Sequence, residues 1–157
     1  MSTPPAIQRF VAAAEAVGLS PEIREFPQGT KTAADAARAI GCEVGQIVKS
    51  LVFMAGAEPF LALTSGPNRA DTSKLSALMG GVPVRRADAE EARSATGFSI
   101  GGTPPFGYPR PLRALFDRDL LAYQEVWAAA GTPNAVFPIR PDDLVRASGA
   151  QPADLKE

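Results

Sequence analysis

Lys49 stands inside Ile47-Val48-Lys49-Ser50-Leu51-Val52-Phe53-Met54, a run that is otherwise nearly all apolar. Withdrawing an ammonium group from water is costly unless it is paired or still reaches solvent. A lysine in such a run therefore points into a polar cleft, where it can meet an anion, or marks an edge strand, where its charge blunts aggregation. The segment Gly101-Gly102-Thr103-Pro104-Pro105-Phe106-Gly107 is the second candidate. Its prolines fix φ, remove two donors and restrict Thr103 and Pro104 toward extended geometry. Its glycines permit close backbone approach to a ligand. The N–H groups of residues 101, 102, 103, 106 and 107 could hold a water or an oxyanion, although composition alone favours a plain turn. A third segment, Ser65-Gly66-Pro67-Asn68-Arg69, offers a hydroxyl, an amide and a guanidinium suited to ribose or phosphate. A capped turn would use the same residues.

What is absent narrows the chemistry. The chain has no histidine, which removes Ser-His and Cys-His nucleophilic sites and the usual general base. The single cysteine, Cys42, forms neither an internal disulfide nor a cysteine-rich zinc site and reads as a small buried hydrophobe. No carboxylate cluster has calcium-loop spacing, and no dinucleotide or P-loop fingerprint is present. No metal and no cofactor are expected. Any reaction must rely on lysine, carboxylates, hydroxyls, backbone amides or groups of the substrate.

The net charge of −1 implies no global attraction to nucleic acid. Residues 69–118, however, hold eight Lys/Arg against five Asp/Glu, which allows a basic face on a near-neutral protein. No apolar run approaches the roughly 18 residues of a membrane span, and Met1–Pro5 lacks the layout of a signal peptide. A cytoplasmic protein with no membrane or DNA partner is expected. The 157 residues suit a single domain with a real core.

The elements that must position these groups follow from periodicity and punctuation. Ala6–Val17 has helical spacing and stops at Gly18; Glu22–Phe26 alternates like a short strand. Thr32 caps a helix, with Asp35 completing a box-like start and Gly41 ending it. Ile47–Met54 and Phe60–Thr64 form a strand pair, the first buried on both faces. Asp71 caps a helix through Met79, Val82–Arg86 is a strand, and Asp88 caps a helix ending at Gly97. Leu112–Phe116, Glu125–Ala130 and Ala135–Ile139 are strands, and Pro141–Ser148 is a short helix. Without regular βαβ alternation, these elements predict an α+β fold with a mixed, mostly antiparallel sheet.

Three segments together resemble the YbaK/ProX aminoacyl-tRNA deacylases, which are similar to the editing insertion domain of bacterial prolyl-tRNA synthetases. They are Gly45 to Leu51, Gly101 to Pro105 as the family's Gly-x-x-x-Pro loop, and Trp127 to Gly131. The resemblance runs from about Thr30 to Leu155. It implies a curved sheet surrounded by helices and hydrolysis of the ester joining a wrong amino acid to a tRNA 3′ end. Lys49 would engage the terminal adenosine region, and Gly101, Gly102 and Thr103 would hold the carbonyl or the attacking water. Ser50, Phe53, Ser65, Asn68, Arg69, Pro105, Ala129 and Gly131 would bind substrate. Many relatives have Ser or Thr where this chain has Pro104, so no side-chain role is assigned there.

An aminoacyl ester is already activated, and the terminal ribose brings a vicinal hydroxyl. Hydrolysis then needs a positioned water and a stabilised oxyanion more than a protein nucleophile, consistent with a chain lacking histidine. The implied substrate is tRNA for proline carrying alanine or 2-aminobutyrate, because small side chains are hard to reject by binding alone. Cysteine or serine esters, and a non-catalytic RNA- or nucleotide-binding module, are the alternatives. The implied partners are the aminoacyl-tRNA acceptor end and, as a candidate, a prolyl-tRNA synthetase.

Overall fold

A computed structural model of the chain describes residues 3–27 and 32–157. Thr30, where the family resemblance begins, and the first two residues of the segment read against a signal peptide lie outside that range.

The architecture is α+β. Two sheets meet side by side, with helices around them. The larger sheet has five strands in the order β4-β2-β3-β5-β8: Val84–Arg86, Val48–Ala55, Glu58–Ser65, Arg113–Asp117 and Gln151–Ala153. The smaller has the order β1-β7-β6: Arg24–Glu25, Ala135–Ile139 and Val126–Ala129. A parallel bridge between Ile47 and Trp127 joins them. Strands β1/β7, β6/β7, β2/β3 and β2/β4 pair antiparallel, whereas β3/β5 and β5/β8 pair parallel. The sheet is thus mixed and mostly antiparallel, as expected.

The helices form where the caps predict them. Thr32 Oγ1 accepts from the Asp35 N–H at 3.0 Å and opens α2, Ala33–Ile40, which Gly41 closes at φ 87°. Asp71 caps α3, Thr72–Leu78, through the N–H groups of Ser73 and Lys74. Asp88 and Glu91 complete a reciprocal capping box on α4, Ala89–Thr96. Pro141 starts α5, Pro141–Ser148, where its missing N–H costs nothing. The first helix, α1, is Pro5–Ala16 and buries Ile7, Phe10 and Ala14. Phe10 lies 5.2 Å from the Phe106 ring and 4.7 Å from Phe137, tying α1 to the Gly/Pro segment and to β7. Burying such a ring is worth about 2 kcal/mol.

Two expectations change. Strand β1 is only two residues long. The β2 run is not buried on both faces throughout: Val52 to Ala55 are, but Lys49, Ser50 and Leu51 are partly open. Strand β4 covers that edge only opposite Phe53, Met54 and Ala55, and the sheet stops there. Strand β8 was not predicted, because Gln151-Pro152-Ala153 carries no alternation. It sits at the sheet margin, where a proline is tolerated.

Candidate active site

The cavity of interest opens along the uncovered edge of β2. It measures about 460 Å³, within the usual range for small-molecule sites. Strand β2 contributes Val48 to Val52, and the Gly/Pro segment contributes Gly101 and Thr103. Ala128 and Ala129 of β6, with Ala33 and Ala36 of α2, form small-residue walls. Arg86 stands at the end of β4 on the same cavity.

Lys49 is half-buried, and its Nζ donates to the Asn68 carbonyl at 2.6 Å. Burial pushes its ammonium below the usual lysine range, and the nearby Arg86 and Arg69 charges push the same way, against the pull of Asp117. The result is a cation with incomplete compensation, suited to an incoming anion. Both sequence readings of Lys49 meet here: the strand edge is open at this point, and the opening is a cleft.

The Asn68 carbonyl is itself held in place. Asn68 Nδ2 donates to Asp117 Oδ2 at 2.8 Å and to Asp119 Oδ2 at 2.9 Å. Asp117 is 1% exposed and also accepts from the N–H groups of Ser65 and Asp119, each at 3.0 Å. Lys156 donates to Asp119 Oδ2 at 2.8 Å, and this ion pair holds the Asp119 carboxyl below its usual range.

The Gly/Pro segment is braced from behind. A Cβ on Gly102 would lie 2.8 Å from Thr132 Cα and 2.9 Å from the Gly131 carbonyl oxygen, so only glycine fits that approach. Gly131 in turn has φ 117° and would place a Cβ 2.7 Å from the Ala6 carbonyl oxygen. The Gly102 N–H donates to the Ser99 carbonyl at 3.1 Å and is therefore not available to a ligand. The Thr103 hydroxyl donates to the same carbonyl at 3.0 Å. The N–H groups of Gly101 and Thr103 have no backbone partner among the described residues, and both residues line the cavity.

Of the twelve residues singled out from sequence, the structure brings Lys49, Ser50, Gly101, Thr103 and Ala129 to this cavity. Gly102 and Pro105 belong to the loop and Gly131 braces it from behind; none of the three lines the cavity. Phe53 is 2% exposed and stacks on Phe60 at 5.8 Å, with the Arg86 guanidinium 5.5 Å above its ring. It supports Arg86 and is not a cavity wall. The Ser65 hydroxyl donates to the Gly45 carbonyl at 2.6 Å, so that group and the Asn68 amide are engaged within the fold. Arg69 is 87% exposed and pairs loosely with Glu157 at 3.7 Å. Arg86, Ala33 and Ala36 were missed from sequence. Only the register Phe53↔Arg86 reveals Arg86 as a neighbour of the Lys49 strand.

Comparison with known proteins agrees with this geometry. Residues 27–147 match the family model described as the aminoacyl-tRNA editing domain. The chain is 31% identical over 124 residues to protein YwhH of Bacillus subtilis (strain 168), covering 78% of each. It is 31% identical over 90 residues to the proline–tRNA ligase of Ligilactobacillus salivarius (strain UCC118), covering 57% of this chain and 16% of the ligase. A crystal structure of a proposed trans-editing enzyme for prolyl-tRNA synthetase superposes with a TM-score of 0.94 at 50% identity, covering 99% of both chains. The chain belongs to the aminoacyl-tRNA editing domain family, in its YbaK/ProX branch.

Proposed function

We propose that this chain is a cytoplasmic, single-domain trans-editing deacylase that hydrolyses the ester of mischarged tRNA(Pro), with alanine or 2-aminobutyrate as the amino acid removed. One observation carries the reading: a half-buried lysine and two loop residues whose N–H groups have no backbone partner among the described residues line one cavity, together with alanines of α2 and β6.

Each group then has a task. Lys49 exchanges its grip on the Asn68 carbonyl for a phosphate or ribose oxygen of the terminal nucleotide, and Arg86 adds a second positive charge at the mouth. The amides of Gly101 and Thr103 donate to the ester carbonyl, whose oxygen gains negative charge as water attacks. Because the cavity supplies no histidine, the vicinal ribose hydroxyl assists proton transfer to the leaving oxygen. The acyl–oxygen bond breaks, releasing the free amino acid and an intact tRNA 3′ end. Ala33, Ala36, Ala128 and Ala129 bound the amino-acid end, so added bulk is excluded by contact with backbone-proximal methyl groups. The tRNA acceptor end is the partner in this reading, and a prolyl-tRNA synthetase would supply it.

A deacylation panel tests the assignment, using alanyl-, 2-aminobutyryl-, cysteinyl-, seryl- and prolyl-tRNA(Pro). Alanyl and 2-aminobutyryl esters should be cleaved fastest and the prolyl ester slowest. Lys49→Ala should lose about 100-fold in kcat/KM, the scale of a misplaced substrate, with an unchanged melting temperature. Full activity in a folded Lys49→Ala protein would refute the anchor role.

A further inference from the structure

Ser50 has a hydroxyl left over and lies at an uncovered stretch of strand edge. Its side-chain oxygen is buried and has no hydrogen-bond partner among the described residues. The outer edge of its main chain is covered by no strand pairing among the described residues. The backbone groups of an antiparallel strand alternate between its two edges. The Val52 carbonyl accepts from the Ala87 N–H at 3.0 Å, which fixes the even-numbered residues of β2 as those facing away from β3. Ser50 therefore directs its N–H and C=O to the edge that β4 does not reach. The gap runs from the Ile47–Trp127 bridge to the Val52–Ala87 hydrogen bond and opens on the cavity. Buried polar groups are nearly always satisfied, so an unsatisfied hydroxyl beside a carbonyl directed to an uncovered edge points to a ligand that donates to both.

The surrounding charges say which ligand group that is. No carboxylate lines the cavity, whereas Lys49 and Arg86 do. An amino-acid ester entering it carries an α-ammonium group that those cations repel and that must find acceptors. Thr32 and Thr103 also line the cavity, but Thr32 Oγ1 already accepts from the Asp35 N–H, and Thr103 Oγ1 is turned to the Ser99 carbonyl. Among the described residues, the Ser50 hydroxyl is the unengaged one.

We infer that Ser50 receives the substrate's α-ammonium group, through its carbonyl and its Oγ at the gap in the β2 edge. This deepens the deacylase reading and rests on it. It makes Ser50 a specificity residue that distinguishes a free aminoacyl group from an N-acylated one, independently of side-chain size.

The test compares alanyl-tRNA(Pro) with N-acetyl-alanyl-tRNA(Pro) on wild type, Ser50→Ala and Ser50→Thr. Wild type should prefer the free amine by about 10- to 100-fold in kcat/KM, the range for one hydrogen bond to a charged group. Ser50→Ala should lose about tenfold on the free amine and change little on the acetylated ester, and Ser50→Thr should restore much of the loss. In parallel, the hydrolysis-resistant 3′-alanylamino-3′-deoxyadenosine and its N-acetyl form are titrated by calorimetry. Binding of the free amine should weaken in Ser50→Ala and binding of the acetyl form should not. A wild type indifferent to acetylation, or a folded Ser50→Ala with the wild-type preference, would overturn the inference. No turnover of any ester by wild type would instead sink the deacylase reading, and the calorimetric pair would still decide the role of Ser50.

Discussion

Two polar neighbourhoods meet at Lys49, and they are built on opposite rules. On one side, Asp117, Asn68, Ser65, Asp119 and Lys156 form a network in which the buried carboxylate accepts three hydrogen bonds. On the other side, the Ser50 hydroxyl has no hydrogen-bond partner and the Gly101 and Thr103 amides no backbone partner among the described residues. The first arrangement stabilises a loop; the second costs stability and is retained where a substrate can complete it. Lys49 belongs to both, since its carbon stem lies on the strand and its nitrogen rests on the Asn68 carbonyl. A residue's chemical type does not say which neighbourhood it serves. Ser50 and Ser65 lie on adjoining strands, yet the hydroxyl of one is orphaned and that of the other donates at 2.6 Å.

The sharpest way to break this contrast is to damage the saturated side. Asp117→Ala strands three donors and should cost about 3 kcal/mol of stability. In a chain of this size that lowers the melting temperature by roughly 10 °C, readable by calorimetry. Activity at low temperature should fall less steeply than for Lys49→Ala. Equal stability with lost activity would move Asp117 into the substrate site.

A pH series probes the shared residue. Burial lowers the Lys49 pKa from its usual 10.5, so the anchoring charge disappears at a lower pH than an ordinary lysine would allow. KM for the aminoacyl ester should rise on the alkaline side before pH 10.5 is reached, after subtraction of spontaneous hydrolysis. The linkage to folding has the opposite sense. The unfolded chain keeps this proton longer, so the contribution of Lys49 to stability increases with pH between the lowered folded value and 10.5.

The smallest effect belongs to Arg69. Exposed and loosely paired, it should change kcat/KM by no more than about twofold when replaced by alanine, and stability by less than about 0.5 kcal/mol. A loss near that of Lys49→Ala would place the nucleic-acid path over the Ser65–Arg69 turn.

Local chemistry made much of this molecule legible in its sequence. Thr32, Asp71 and Asp88 announce helix starts because their side chains satisfy N–H groups two or three residues ahead. Lys49 stands out because charge in an apolar strand demands a reason. Gly101, Gly102 and Thr103 were all read as candidate donors; the Gly102 amide is used by a turn back to Ser99, whereas the other two have no backbone partner among the described residues. What stayed hidden depends on register between distant segments. Asp117 reaches Asn68 across 49 positions through a parallel strand pair whose connection leaves no periodic trace. Phe53 was expected to bind substrate, whereas β4 covers the sheet edge by that point and puts Arg86 over its ring.

The brace behind the Gly/Pro loop has a consequence for engineering. Gly102 rests on Gly131, Gly131 on the Ala6 backbone, and Gly107 so close to Ala13 that a Cβ would come within 2.9 Å. Ala6 and Ala13 belong to α1, Pro5–Ala16, which precedes the family match at residues 27–147. The span of the family model thus carries the loop and its Gly131–Thr132 brace but not the α1 seat behind them. Grafting residues 27–147 into another protein would transplant the candidate site without the helix it rests on, and a host helix offering small residues at that seat would have to replace it.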